Sequence, residues 1–163
     1  MKRIRTYFEL SGETRSDVAG QVERQAARVQ ERLRRVRHTV AVWSGKGGVG
    51  KSFVTANLAA ALAREGWRVG VCDADVNGPS VARLLGVPRR PLRVTAGGVE
   101  PAAGVAGVRV MSMDLLLAAD DAPVTWAGPE SESFVWRGTL EAGTLREFLA
   151  DTDWGELDLL LFD

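Results

Sequence analysis

The chain has 163 residues, 45% hydrophobic and 26% charged, with no formal net charge. That is the size of one compact domain, and the composition excludes collagen, low-complexity disorder and a disulfide scaffold. No apolar run approaches the ~18 residues of a membrane helix, the charged start MKRIRTYFELSGETR has no secretory h-region, and the single cysteine, Cys72, permits neither an internal disulfide nor a two-cysteine metal clip within these residues. A cytoplasmic location with no membrane partner is expected. Charge is distributed unevenly: residues 1–38 carry ten Lys/Arg against five Asp/Glu, and residues 39–163 carry eleven against sixteen. The whole is not basic enough to predict nucleic-acid binding.

In chain order, residues 16–37 read as an amphipathic helix. Val18, Val22, Ala26, Val29, Leu33 and Val36 recur at spacings of three and four. Thr14 and Asp17 have the capping-box spacing in its Asp form, the outer face is mostly arginine, and His38 sits at the helix end. This gives a basic leader over 1–38 and a second unit over 39–163. From residue 39 the pattern alternates. Thr39–Trp43 reads as a strand, 50–65 as a helix stopped by Gly66, Arg68–Cys72 as a strand, and Pro79–Leu85 as a short helix. Residues 86–107 read as loop or hairpin, Val108–Met113 as a strand, 138–150 as a helix, and Leu157–Phe162 as an apolar strand of the kind found mid-sheet. Buried strands separated by helices predict an α/β, doubly wound, mainly parallel sheet. Cys72 and the five tryptophans read as core or interface residues.

The chemistry is carried by Gly45-Lys46-Gly47-Gly48-Val49-Gly50-Lys51-Ser52, which satisfies G-x-x-x-x-G-K-[ST] between a strand and a helix, the context that motif requires. Glycines let successive N–H groups point inward at phosphate oxygens, and the helix start adds its positive dipole end. Lys51 supplies a point charge for the β/γ-phosphates and Ser52 a hydroxyl for Mg²⁺. The chain has only three lysines against 18 arginines, and two of the three lie in this loop. A compact ammonium suits a phosphate cradle better than a forked guanidinium. Asp73 and Asp75 close the second predicted strand, where a carboxylate can hold a Mg²⁺ water shell and orient the attacking water, or simply cap the following helix. Asp163 follows an apolar strand, the position of a Mg²⁺-contacting carboxylate.

Lys46, directly after the first glycine, resembles the signature lysine of the deviant Walker A P-loop NTPases, a class that includes MinD, ParA and the Mrp/ApbC-type iron–sulfur carrier ATPases. The stretches WSGKGGVGKS, VGVCDADVNGPSVARLLG, VRVMSM and VWRGTLEAGTLREFLADTDWGELDLLLFD are similar to the Mrp/ApbC group, and the resemblance runs from about Val40 to Asp163. It implies a Mg²⁺-dependent ATPase that acts as an iron–sulfur cluster carrier or assembly factor. Gly45 through Phe53 would lie at the nucleotide, and Lys46, Lys51, Asp73 and Asp75 would be catalytic. Ser52, Asp73 and Asp163 would serve Mg²⁺. Lys46 would reach phosphate across a homodimer interface, and iron–sulfur apoproteins would be the partners. A [4Fe–4S] cluster is implied only by the resemblance, and no cluster ligand is found within these residues.

Three features depart from the group's pattern. Phe53 stands where the class has a second hydroxyl, Thr139 where proline often follows WRG, and the second switch, the adenine contacts and the paired CxxC lie beyond residue 163 in that group. The expectation is therefore of a P-loop fold incomplete at its C-terminal side. The alternatives are a MinD/ParA-type positioning ATPase and a non-catalytic nucleotide-binding fragment.

Overall fold

The computed structural model describes residues 18–75, 78–88, 92–115, 143, 145, 146 and 148–163. Helix α1 spans Val18–Leu33 and strand β1 Val36–Ala41. Helix α2 covers Lys51–Arg64, β2 Val69–Cys72, and the single-turn helix α3 Val81–Leu84. The short strands β3 (Val94–Thr95) and β4 (Gly98–Val99) form a hairpin. Strands β5 (Ala102–Ala103), β6 (Arg109–Met111) and β7 (Leu157–Phe162) follow. The described residues 143, 145, 146 and 148–151 are helical.

The main sheet has the order β1-β7-β2-β6-β5. The first three pairings are parallel, and β5 is antiparallel to β6. The last strand in sequence therefore lies between the first two, the mid-sheet place its apolar run predicts. All four residues of β2 and four of the six in β7 are buried, as a parallel strand covered on both faces requires. One face packs Ala56 and Ala59 of α2 and Val81 and Ala82 of α3 against Val69, Val71, Leu159 and Leu161. The other packs Phe148 and Trp154, with Leu33 at its margin, on Cys72, Met111, Leu157 and Leu160. Helices thus lie on both faces of a mainly parallel sheet.

The helix expected over 16–37 ends earlier, at Leu33. Val36, Arg37 and His38 belong to β1, with His38 opposite Leu159, so His38 is not a helix-end residue. Spacing alone fits Val36 to either element, and pairing with the apolar β7 decides it. Leu157 N–H donates to Arg35 O at 3.0 Å, which starts the ladder. The strand expected over Thr39–Trp43 ends at Ala41, and Trp43 is 81% exposed. Trp67 is also exposed, whereas Trp154 is buried. Trp126, Trp136 and Thr139 lie outside the described residues, as do Val76 and Asn77.

Two details fix β2 against β7. At the end remote from the phosphate loop, Arg68 grips Asp158 through its backbone N–H, Nε and Nη2 at 3.0, 3.1 and 3.0 Å. These bonds hold the Asp158 carboxyl well below the usual carboxylate range. In mid-strand, Gly70 lets the sheets of side chains close. A Cβ there would lie 2.6 Å from Leu157 Cδ1 and 3.0 Å from Leu160 Cδ1. Gly70→Ala is expected to destabilise the protein by about 1–3 kcal/mol through overpacking, read as a lower urea midpoint with an unchanged slope.

Candidate nucleotide and magnesium site

The sequence builds the site at the carboxyl ends of β1, β2 and β7. Val42 N–H donates to Phe162 O at 2.8 Å, so the chain leaves β1 still tied to β7. It then enters an exposed loop over 45–50. Ser44 Oγ donates to Lys46 O at 2.7 Å. Gly48 and Gly50 have φ of 72° and 94°, a region that L side chains occupy only at a cost. Gly50 is also the N-cap of α2. Nothing lies within 4 Å of where a Cβ would stand on Gly45, Gly47, Gly48 or Gly50. The loop is thus uncrowded at these glycines, and the α2 start supplies unpaired N–H groups.

Lys51 and Ser52 are the first two residues of α2 and half-buried, while Lys46 and Val49 are exposed. Phe53 is 64% exposed. The helix is anchored one turn on by Thr55, which is fully buried. Its Oγ1 lies 2.7 Å from Asp163 Oδ1 and 3.0 Å from Lys51 O. A hydroxyl has one proton, and the shorter contact to a charged acceptor is the stronger claim on it.

Asp163 follows β7 and Asp73 follows β2, on neighbouring strands. Asp163 N–H donates to Cys72 O and Ala74 N–H to Asp163 O, both at 3.1 Å. Asp73 is buried. Its Oδ2 accepts from Ser80 N–H (3.1 Å), Val81 N–H (3.2 Å) and Ser112 Oγ (3.0 Å), and its Oδ1 from Asp75 N–H (3.2 Å). It therefore caps α3, as an aspartate at a strand end can. Burial pushes its carboxyl up to about 6, opposed by the bonds from Val81, Ser112 and Asp75, with the nearby Asp163 charge adding to the rise. Asp75 is exposed, and its Oδ1 accepts from Gly78 N–H at 2.9 Å, shaping its own turn.

The structure thus brings the α2 start, Asp163 and Asp73 to one sheet edge and leaves Asp75 on the surface above it. Sequence reasoning missed Thr55 and Ser112, the buried hydroxyls on the two carboxylates. A Thr four residues after the loop lysine, and the Ser inside VMSM, were the available signals. The donor set fits a hydrated Mg²⁺: Asp163 Oδ2 receives no hydrogen bond from the described residues, and Asp73 Oδ1 receives one. Among the described residues no group of three or more His, Cys, Asp or Glu could hold a metal ion by itself. Cys72 is buried, and burial pushes its thiol up to about 12. The native protein is expected not to react with a thiol reagent at pH 8 and to expose one reactive thiol on unfolding; fast native labelling would contradict this burial.

A family model described as the ParA family, NUBPL iron-transfer P-loop NTPase, matches residues 35–135. An iron-sulfur cluster carrier protein of Saccharolobus solfataricus is 43% identical over 143 residues, 88% of this chain and 45% of that protein. A cytosolic Fe-S cluster assembly factor NUBP1 homolog of Caenorhabditis elegans is 38% identical over 137 residues, 83% of this chain and 41% of that one. Among solved structures, a nucleotide-binding protein from Archaeoglobus fulgidus in complex with ADP matches with TM-score 0.67 and 40% identity, covering 83% of this chain and 47% of that one. The chain spans about half the length of the relatives it matches.

Proposed function

Because the chain belongs to the NUBPL iron-transfer P-loop NTPases, we propose that it binds and hydrolyses ATP with Mg²⁺ and, as part of a homodimer, serves the transfer of iron–sulfur clusters to apoproteins in the cytoplasm. The observation that carries the nucleotide part is the meeting of the open glycine loop, the α2 start and two carboxylates at one sheet edge. The loop N–H groups and Lys51 hold the phosphates. Lys46 acts on phosphate from its exposed place on the loop. Ser52, Asp163 and Asp73 would hold the hydrated Mg²⁺, which when bound neutralises phosphate charge. Asp73 and Asp75 would orient the attacking water. The cluster is cargo, and a [4Fe–4S] form would be held by ligands other than the buried Cys72.

Identity near 40% to a named cluster carrier and a named assembly-factor homolog, and an ADP-bound neighbour, support this reading. No helix among the described residues is long and apolar enough to cross a membrane. Calorimetric titration of the purified chain with ADP and ATP in excess Mg²⁺ is expected to show saturable binding, and steady phosphate release should follow with ATP. No heat and no release would overturn the nucleotide part. For the cluster part, disrupting the gene is expected to lower the specific activity of [4Fe–4S] enzymes in cell extracts at unchanged protein level. Unchanged activities would remove that half of the proposal.

A further inference from the structure

We infer that Thr55 and Ser112 are positioning residues: two fully buried hydroxyls, each fixed on one oxygen of one carboxylate, that decide which oxygen of Asp163 and of Asp73 faces a hydrated Mg²⁺. The inference rests on the Mg²⁺–nucleotide reading of this site. Thr55 Oγ1 lies 2.7 Å from Asp163 Oδ1 and joins residues 108 positions apart. It therefore ties α2, whose first residues are Lys51 and Ser52, to the end of β7. With Oδ1 occupied, Oδ2 is the oxygen of Asp163 left for a ligand.

Ser112 does the same for Asp73 on the opposite side. Its Oγ donates to Asp73 Oδ2 at 3.0 Å, beside the Ser80 and Val81 N–H groups, so that oxygen is saturated and Oδ1 remains. Ser112 Oγ in turn accepts from Asp114 N–H at 3.3 Å. The nearly buried Asp114 is paired with Arg83 at 3.7 Å, and Arg83 lies on α3, whose first N–H bonds that same Oδ2. The ring Asp73–Ser112–Asp114–Arg83–α3 closes on itself, so the carboxylate cannot turn without breaking several bonds. Groups that orient ligands by hydrogen bonding commonly matter 10–100-fold in metal affinity.

The test is fluorescent titration of a methylanthraniloyl-ATP analogue against the chain, with Mg²⁺ varied and with EDTA, each variant first checked for cooperative urea unfolding. Thr55→Val keeps the shape and removes only the hydroxyl. It is expected to raise the half-saturating Mg²⁺ about tenfold or more, with affinity in EDTA moving less than twofold, and Thr55→Ser should restore the wild-type value. Ser112→Ala is expected to act in the same direction. If Thr55→Val fails to fold, the contrast of Thr55→Ala with Thr55→Ser carries the same comparison. Folded variants with wild-type Mg²⁺ dependence, or an equal loss with and without Mg²⁺, overturn the inference alone. Wild-type binding indifferent to Mg²⁺ overturns the site reading and the inference with it.

Discussion

Replacing Lys51 with alanine is expected to weaken binding of Mg²⁺–ATP on the order of 100-fold, with no loss of folded stability. Lys51 opens α2 directly after Gly50, the N-cap with φ of 94°, so it stands at the junction of the glycine loop and the helix start. Hydrogen bonds to charged groups contribute about 1.5–3 kcal/mol each, and two such bonds lost to phosphate oxygens amount to about 3 kcal/mol or more, roughly two decades in affinity. Lys51→Arg should restore little, because a planar fork does not replace a point charge in a tight cradle. Lys46→Ala, in the exposed part of the loop, is expected to lower turnover more than affinity. Calorimetry for binding and phosphate release for turnover separate the two. Unchanged affinity in Lys51→Ala would place the phosphates elsewhere, and equal losses in Lys46→Ala would remove its separate role in turnover.

What could be seen in the sequence was what local chemistry encodes. The glycine loop, α2 and the buried strands β2 and β7 follow from residue types a few positions apart, and so does the mid-sheet place of an all-apolar strand. The α1–β1 boundary could not be read this way. Arg34 and Arg35 are neither glycine nor proline, and Val36 continues the helical stripe until β7 claims it 121 positions later. Thr55 reads as an ordinary helix residue until its partner, 108 positions away, is in place, and Ser112 needs a partner 39 positions back. Asp73 was legible as a candidate, but sequence reasoning set capping against function. The geometry has it cap α3 through Oδ2 while Oδ1 faces a single donor, so capping and the proposed Mg²⁺ role would use different atoms of one carboxylate.

That double use has a cost that pH exposes. The Asp73 carboxyl is pushed up to about 6 from its ordinary 3.8, first of all by burial. A raised carboxyl means that the folded state holds the proton where the unfolded state has released it. Below about pH 3 both states are protonated and Asp73 costs nothing. As pH rises toward 6 the unfolded chain gains the ionisation advantage, and above about pH 6.5 the full cost stands, on the order of 3 kcal/mol. Asp158 works in the opposite sense. Its carboxyl is held low by Arg68, so the stability it contributes is present above about pH 4 and is lost at lower pH. The two are separated by comparing wild type with Asp73→Asn in urea at several pH values in EDTA. The amide leaves a fixed penalty against the Asp75 N–H but does not titrate. Wild type is expected to lose about 2 kcal/mol relative to the variant between pH 4 and pH 7.5. A difference independent of pH would mean that Asp73 keeps an ordinary carboxyl, and that four hydrogen bonds offset its burial completely.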